Sequence, residues 1–269
     1  MSHQIEVALI GTGVMGEAIL GSLVGAVGAQ RVRIADPRAD HGRAVAARYG
    51  VRWAASNAEA VDGVGVVLLA VKPKDIAAAC AEFAGALGSG TVVASVAAGI
   101  TTAFLADRLP AGTAVVRVMP NTPATIGRGI AALSAGANAR QADTKLVADL
   151  LAGTGATVVV PEQQQDVVTA VSGSGPAYLF YLLEAMRDAG VAGGLDRDLA
   201  LQLAEHTVAG AAEMALRSGE DPAVLRERVT SPGGTTLAAI TELDAQGVRA
   251  AVGDAARKAW ERAAELGSS

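Results

Sequence analysis

Val7-Ala8-Leu9-Ile10-Gly11-Thr12-Gly13-Val14-Met15-Gly16 decides the fold, and Glu17-Ala18-Ile19-Leu20 continues this stretch in helix-forming residues. The apolar run predicts a buried strand, and the glycines that follow have the spacing GxGxxG. Between a strand and a helix, Gly11 permits a tight turn, Gly13 lets a pyrophosphate approach the backbone, and Gly16 lets the helix pack closely on the strand. The alternative is a glycine-rich turn without a ligand. The flanking strand and helix favour a dinucleotide-binding turn.

Short β-branched runs alternate with longer alanine-rich segments through the first half, a rhythm typical of βαβ units. The predicted strands are Val7–Ile10, Val32–Ala35, Val64–Ala70, Thr91–Val96, Ala114–Val118, Ile130–Ser134 and Ala156–Val160. The predicted helices are Met15–Ala26, Arg38–Tyr49, Ile76–Leu87, Thr102–Leu109 and Gln141–Leu151. The strands are apolar throughout, as in a parallel sheet covered on both faces. We therefore predict an N-terminal Rossmann fold, a doubly wound α/β sheet that ends at Pro161.

Beyond Pro161 the β-branched alternation disappears, and the sequence predicts helices. These predicted helices are Gln163–Val171, Pro176–Ala189, Arg197–Ser218, Pro222–Val229 and Gly234–Asp244. The chain then has two domains, a dinucleotide-binding domain over residues 1–161 and an all-α domain over residues 162–269. Several faces of these helices carry few charges, which indicates that a partner subunit covers apolar surface.

Composition and charge exclude several classes of function. The net charge is −5 and no run of Lys or Arg stands out, which argues against nucleic-acid binding. Cys80 is the only cysteine and no Cys/His cluster has zinc spacing, so we expect no disulfide, no metal and a reducing, cytoplasmic setting. Glycines and charged residues interrupt each apolar run before the about 18 residues of a membrane span, and the N-terminus lacks the pattern of a signal peptide.

Asp36-Pro37-Arg38 ends the second predicted strand, about 20 residues beyond the glycine turn, where Rossmann folds read the adenosine ribose. An acid there binds the ribose of NAD, whereas an arginine accepts the 2′-phosphate of NADP. Asp36 and Arg38 therefore favour opposite cofactors, and a plain turn and helix start is the third alternative. Lys72-Pro73 follows another apolar strand, which places the Lys72 charge at the ligand-binding edge of the sheet.

Five further segments occur in order along the chain. They are Ala70-Val71-Lys72-Pro73, Ser95-Val96-Ala97-Ala98-Gly99-Ile100, Arg117-Val118-Met119-Pro120-Asn121-Thr122-Pro123, Ser172-Gly173-Ser174-Gly175-Pro176-Ala177-Tyr178 and Val229-Thr230-Ser231-Pro232-Gly233-Gly234-Thr235-Thr236. Together they resemble the pyrroline-5-carboxylate reductase family over nearly the whole chain, and the last segment is the most specific. The resemblance implies reduction of 1-pyrroline-5-carboxylate to L-proline, the last step of proline biosynthesis. It also implies a helical dimerisation domain and a homodimer, commonly assembled into a homodecamer.

The resemblance also assigns a cofactor site on the first domain. Its residues are Gly11, Thr12, Gly13, Val14, Met15, Gly16, Asn57, Val71, Lys72, Pro73 and Ala98. Some relatives place a small hydroxyl residue where this chain has Asp36, so we expect NADPH as the first donor and NADH as a serious second, with Asp36 and Arg38 at the ribose. Met119 and Asn121 follow a predicted strand near the expected nicotinamide, although Met119 has core packing as its alternative.

The loop from Ser231 to Thr236 predicts a substrate site. Pro232-Gly233-Gly234 fixes a turn ahead of a helix, and backbone amides in such a turn suit a carboxylate. By resemblance, Ser231 and the Gly233-Gly234-Thr235 backbone hold the substrate carboxylate, Thr236 hydrogen-bonds the ring nitrogen as the catalytic residue, and Glu162 is a substrate-proximal acid. The alternative for Thr236 is an ordinary helix N-cap.

Other classes of protein share parts of this pattern. A β-hydroxyacid dehydrogenase needs a catalytic lysine on the first long helix of its second domain, and Pro176–Ala189 contains none. A non-catalytic dinucleotide-binding protein would keep the glycine turn without the loop at Ser231, and a reductase of a related cyclic imine would keep both. The three histidines, His3, His41 and His206, lack Ser or Asp companions and are expected to be surface or packing residues.

Overall fold

A computed structural model describes residues 5–267 of the chain. Its strands are β1 (Val7–Ile10), β2 (Val32–Ala35), β3 (Arg52–Trp53), β4 (Val66–Leu69), β5 (Val92–Ser95), β6 (Ala114–Met119), β7 (Gly129–Ala135) and β8 (Gly155–Val159). They form one sheet in the order β3-β2-β1-β4-β5-β6-β7-β8. The strand order reverses beside β1, and this switch point leaves a crevice at the carboxyl ends of β1 and β4. The predicted Rossmann fold is confirmed.

Helices alternate with these strands along the chain and pack on the sheet. They are α1 (Val14–Val27), α2 (Ala39–Tyr49), α3 (Asn57–Val61), α4 (Ile76–Phe83), α5 (Thr102–Ala106) and α6 (Gln141–Leu151). Two apolar layers result from the alternation of side chains along each strand. Val7 and Leu9 of β1 belong to one buried cluster, whereas Ala8 and Ile10 belong to the other. The predicted bounds of α6 match the structure, whereas α4 and α5 end earlier than predicted.

Strand direction differs from a purely parallel sheet at one place. β6 pairs antiparallel with β7, and β7 then pairs parallel with β8. Only residues 120–128 join β6 to β7, a connection too short for the crossover that a parallel pair requires. The sequence also did not predict β3 and α3, because two-residue and five-residue elements are too short to show a periodicity.

The exposure of the edge strand β8 differs from the prediction that the sheet is covered on both faces. Val158 and Val159 are 42% and 68% exposed, so the sheet is not covered on both faces at this edge. Its β-branched residues predicted a strand correctly, but composition alone does not tell an edge strand from a central one.

Helices continue the chain after the sheet, as predicted. A short helix α7 (Gln165–Val168) passes into a π-helical turn over Thr169–Gly173. The later helices are α8 (Gly175–Ala192), α9 (Arg197–Ser218), α10 (Pro222–Arg228), α11 (Thr235–Ala245) and α12 (Val248–Gly267). The helical periodicity predicted α9 at its observed bounds, and the prediction did not include α12.

Two compact units make up the chain. The first runs to Ser174 and includes the stretch from Ala259, and the second is Gly175–Lys258. A domain boundary after residue 161 stays a prediction. In the second unit, α8, α10 and α11 bury no residue completely. Large apolar side chains are exposed along its helices: Leu179, Phe180, Tyr181, Leu182, Leu199, Leu203, Met214, Leu216, Leu237 and Leu243.

Candidate active site

The glycine turn lies between β1 and α1, and each of its glycines has a distinct steric role. Gly11 has φ +94° and donates its backbone N–H to the Ala35 carbonyl at 2.8 Å. A Cβ at Gly16 would lie 2.3 Å from the carbonyl oxygen of Gly11, so only glycine lets α1 approach the strand. A Cβ at Gly13 would meet no atom within 4 Å. The open space at Gly13 fits a pyrophosphate.

The N-terminus of α1 is built to bind an anion. Gly13 is its N-cap residue and provides no side-chain hydrogen bond, so the first amides of the helix are left to other acceptors. These amides and the helix dipole favour a phosphate group at this position. Val14 is exposed and Met15 half-buried beside it. The residues present therefore fit the diphosphate of a nicotinamide dinucleotide.

Asp36, directly after β2, binds the glycine turn. Its carboxylate accepts hydrogen bonds from the Thr12 backbone N–H at 2.9 Å and the Thr12 hydroxyl at 2.7 Å. Arg38 donates to the same carboxylate from Nε at 3.0 Å, from Nη2 at 3.1 Å and from its backbone N–H at 2.9 Å. Burial raises the pKa of Asp36, but these hydrogen bonds outweigh it and hold the pKa well below its usual range.

Arg38 contacts the Asp36 carboxylate, and His41 contacts the backbone of Thr12. The Arg38 side chain is 61% exposed while that of Asp36 is only 2% exposed. His41, in the first turn of α2, has its Nε2 atom 2.9 Å from the Thr12 carbonyl oxygen, which requires a proton on Nε2. His41 is thus a packing residue of the glycine turn. His206 is exposed, and His3 lies outside the described residues.

The other predicted cofactor residues follow the carboxyl ends of parallel strands and so share one edge of the sheet. Val71, Lys72 and Pro73 come after β4, and Ala98 comes after β5. Lys72, Pro73 and Ala98 are exposed there. Asn57 follows β3 at the start of α3, where its side-chain amide donates to Glu82 at 2.6 Å. Lys72 supplies a positive charge at this edge.

Met119 and Asn121 lie at the end of β6. The Met119 methyl group packs against the π-helical turn, since a Cβ at Gly173 would lie 2.6 Å from it. The Asn121 side-chain oxygen accepts the backbone N–H of Ile130 at 2.9 Å. Asn121 therefore braces the start of β7, a role that its position in the sequence did not indicate.

Glu162 binds the N-terminal end of α5. Its carboxylate accepts the Thr102 backbone N–H at 2.7 Å and the Thr102 hydroxyl at 2.5 Å. The Arg117 guanidinium lies 3.6 Å from the same carboxylate and 3.3 Å from Asp166. Sequence reasoning missed Thr102 and Arg117, although an arginine inside the apolar run Val115-Val116-Arg117-Val118 was a visible signal.

The loop from Ser231 to Thr236 lies in the second unit, ahead of α11. Gly233 has φ +70°, which favours glycine, and a Cβ at Gly234 would lie 2.4 Å from the Ser231 hydroxyl oxygen, so a side chain there would displace that hydroxyl. Gly234 is the N-cap of α11, which corrects the alternative that Thr236 fills this role. Thr236 is the second helical residue, and its hydroxyl makes no hydrogen bond within the described part of the chain.

The hydroxyls of Ser231, Thr235 and Thr236 make no hydrogen bond to the described residues and are accessible to water or to a ligand. Other threonines on helices bind their own backbone, as Thr230 does to Arg226 and Thr241 does to Leu237. Thr236 would need residue 232 for such a bond, which precedes the helix. Backbone amides of the first turn of α11 point at the same end of the helix and suit a carboxylate.

Between residues 5 and 267, no helix has the length and hydropathy to cross a membrane. In that same stretch, no three His, Cys, Asp or Glu side chains are grouped so that they could hold a metal ion.

Comparison with known proteins matches both parts of the chain. Residues 162–266 match the family model "Pyrroline-5-carboxylate reductase dimerisation", and residues 6–99 match "NADP oxidoreductase coenzyme F420-dependent". A pyrroline-5-carboxylate reductase of Pseudomonas aeruginosa is 44% identical over 97% of this chain and 96% of its own.

Solved structures agree with these matches. A pyrroline-5-carboxylate reductase from Coxiella burnetii has a TM-score of 0.93 at 34% identity, covering 97% of this chain and 98% of its own. A pyrroline carboxylate reductase from Plasmodium falciparum, with NADP bound, has a TM-score of 0.87 at 26% identity, covering 99% and 100%. The glycine turn on a Rossmann sheet and the loop ahead of α11 thus occur in a chain that belongs to the pyrroline-5-carboxylate reductase family of NAD(P)-dependent oxidoreductases.

Proposed function

We propose that this chain reduces 1-pyrroline-5-carboxylate to L-proline with NADPH, the last step of proline biosynthesis. The observation that carries the proposal is the loop from Ser231 to Thr236, whose hydroxyls and helix-terminal amides match a small ring with a carboxylate and a nitrogen. Relatives named pyrroline-5-carboxylate reductase, at 38–44% identity, support this choice of substrate. Cys80 is the only cysteine and is a buried free thiol, so the chain uses no internal disulfide, which suits the reducing cytoplasm that we propose as the protein's location.

The reaction adds one hydride and one proton across the C=N bond of the imine. When bound, the reduced dinucleotide supplies the hydride to C5. The open turn at Gly13 and the amides of α1 hold its diphosphate, and Lys72 adds a positive charge at the same edge of the sheet. We assign the substrate carboxylate to Ser231 and the Gly233-Gly234-Thr235 backbone. These groups act by positioning and by electrostatics, because hydride addition to an iminium carbon needs no strong base.

Thr236 has the one catalytic contact in this proposal. Its hydroxyl lies on the first turn of α11 and makes no hydrogen bond to any of residues 5–267, so it is available to the ring nitrogen. A hydroxyl both donates and accepts, and can therefore hold the nitrogen in place while the proton stays on it or is exchanged. Glu162 provides negative charge, which favours an iminium over a neutral imine.

For the cofactor, we propose that NADPH is preferred and that NADH is accepted. Arg38 is exposed and directed by Asp36, so its guanidinium is held at the end of β2 where a 2′-phosphate binds. The carboxylate of Asp36 already receives bonds from Thr12 and Arg38, which reduces its capacity to accept the ribose hydroxyls of NADH. The ion pair thus disfavours NADH without excluding it.

Replacing Arg38 by methionine is expected to reverse this preference. The variant loses the phosphate contact and frees Asp36 for the ribose, so kcat/KM with NADPH should fall about 10- to 100-fold, as for a lost charge-assisted hydrogen bond. With NADH it should stay the same or rise. The measurement is steady-state kinetics with both cofactors. Arg43→Met is the matched control, since Arg43 is an exposed arginine of α2 that pairs with Asp40. An equal loss with both cofactors would contradict the role of Arg38.

Three other functions would give different results in a single assay. Purified protein is given 1-pyrroline-5-carboxylate with NADPH or NADH, and cofactor absorbance and proline are followed. Proline formation supports the proposal. A β-hydroxyacid dehydrogenase would oxidise neither cofactor with this imine, and a non-catalytic dinucleotide-binding protein would bind NADPH without oxidising it. A reductase of a related imine would be active only with a cyclic imine of another ring or substituent.

We also propose a homodimer built from the second unit and assembled into a homodecamer. The exposed apolar side chains of α8, α9 and α11 need a partner in water, and a family model for dimerisation matches this region. Sedimentation equilibrium at micromolar protein should give the mass of ten chains. A mass of two chains would leave the dimer and remove the decamer, and a monomer would contradict both.

A further inference from the structure

Arg117 is a buried charge in the middle of the sheet. It belongs to β6, is only 5% exposed, and is flanked by Val116 and Val118, which are buried in the core. A guanidinium keeps its charge at any pH in a protein, so burying it is costly unless acids compensate for it. The role of Arg117 therefore depends on the groups that it meets.

Arg117 is the middle residue of a polar row that crosses three neighbouring strands. Its register partners are Ser95 of β5 and Ser134 of β7, and both serines are fully buried. The row lies at the carboxyl end of β5, three residues before Ala98 of the proposed cofactor site. Ser95 supports that loop directly, because its hydroxyl oxygen accepts the backbone N–H of Ala97 at 3.2 Å.

Two carboxylates meet the guanidinium. Nη1 lies 3.6 Å from Glu162 and Nη2 lies 3.3 Å from Asp166. Both acids belong to the short segment 162–166, and one positive charge faces two negative charges. The Glu162 side chain is still 24% exposed, so part of it remains accessible to a ligand.

Two further residues fix the same segment, each through two hydrogen bonds. Thr102 donates its N–H and its hydroxyl to Glu162. Gln165 is fully buried and donates its side-chain amide to the Ala132 carbonyl at 3.2 Å and to the Ser134 hydroxyl at 2.8 Å. The segment is thus held on β6 by Arg117, on β7 by Gln165 and on α5 by Thr102, which leaves the Glu162 carboxylate little freedom to turn.

We propose that Arg117 is a positioning residue that, with Thr102, holds the Glu162 carboxylate in the orientation needed for imine reduction. The inference rests on the proposed function, because Glu162 is the substrate-proximal acid of that proposal. The alternative is a role in folding alone, in which Arg117 only neutralises buried acids. The two differ in one respect: a positioning residue loses its effect when Glu162 can no longer act.

A double-mutant cycle tests this difference. The variants are Arg117→Met, Glu162→Gln and the pair, with kcat and KM for 1-pyrroline-5-carboxylate at saturating NADPH, and the NADPH dissociation constant measured by fluorescence. Arg117→Met should lower kcat/KM about 100-fold, as misplacing a group that faces the substrate by about 1 Å does. NADPH affinity should stay within about twofold, since the glycine turn is untouched. In the Glu162→Gln background, Arg117→Met should have almost no further effect.

Thr102→Val keeps the inference testable if Arg117→Met does not fold. It retains the shape and the N–H of residue 102 and removes one hydrogen bond, so kcat/KM should fall about tenfold, and again only when Glu162 is present. Arg117→Lys, which keeps the charge, should restore part of the activity lost in Arg117→Met.

Equal losses with and without Glu162 would overturn the inference, as would a parallel loss of NADPH affinity. A wild-type protein that does not reduce the imine would instead overturn the proposed function, and this inference with it.

Discussion

Gly13→Val should weaken dinucleotide binding about 100-fold in a protein that folds normally. A Cβ at residue 13 meets no atom within 4 Å, and Gly13 has φ −71° and ψ −173°, an extended conformation that valine adopts without strain. The loss at the helix N-cap should lower the free energy of unfolding by at most about 1 kcal/mol. The new side chain would fill the space that a pyrophosphate needs. Losing these charge-assisted hydrogen bonds costs about 3 kcal/mol, or about 100-fold in affinity.

Two matched variants distinguish this effect from damage to the fold. Gly21→Val makes the same change on α1, where a Cβ has only Tyr49 nearby at 3.9 Å, and should leave NADPH binding intact. Gly16→Ala forces a Cβ to within 2.3 Å of the Gly11 carbonyl oxygen, and should lower the melting temperature. Isothermal titration with NADPH and thermal unfolding measure the two properties. Undiminished NADPH affinity in Gly13→Val would show that the turn does not hold the cofactor.

The glycine turn could be predicted from sequence because its requirements are local. The strand, the turn and the first turn of α1 span residues 7–20, and steric limits at Gly11 and Gly16 act within that stretch or on the neighbouring strand. The same holds for α6 and α9, whose periodicity extends over 11 and 22 residues. Strand direction is different: nothing in the composition of β7 distinguishes an antiparallel strand from a parallel one, so the reversal after β6 was not predicted.

The electrostatic contacts of the site were hidden for a related reason. Thr12 and Asp36 are 24 residues apart, Arg117 and Asp166 are 49 apart, and Thr102 and Glu162 are 60 apart. No spacing rule joins such pairs, because the fold alone brings them together. The sequence therefore left Asp36 and Arg38 as competing ribose ligands, whereas the structure makes them one ion pair. It likewise showed Arg117 as an exception inside an apolar strand without showing its partners.

Thr236 differs from these residues, because the sequence placed it at the start of a helix and its proposed role depends on its hydroxyl group alone. Its hydroxyl has no partner within the described residues, so removing it costs the folded protein no internal hydrogen bond. Thr236→Val keeps the branched shape at the second position of α11 and removes only the hydroxyl. The stability of the free protein should therefore change little.

We expect Thr236→Val to lower kcat for 1-pyrroline-5-carboxylate about 100-fold, the usual loss when one hydrogen bond to the reacting centre is removed. NADPH affinity should be unchanged, because the glycine turn belongs to the other compact unit. Thr241→Val is the control: Thr241 is on the same helix, but its hydroxyl donates to the Leu237 carbonyl at 2.8 Å. Single-turnover kinetics with preformed NADPH complex separate the hydride step from product release. A hydride step as fast in Thr236→Val as in wild type would remove Thr236 from the mechanism and leave its loop a carboxylate-binding site only.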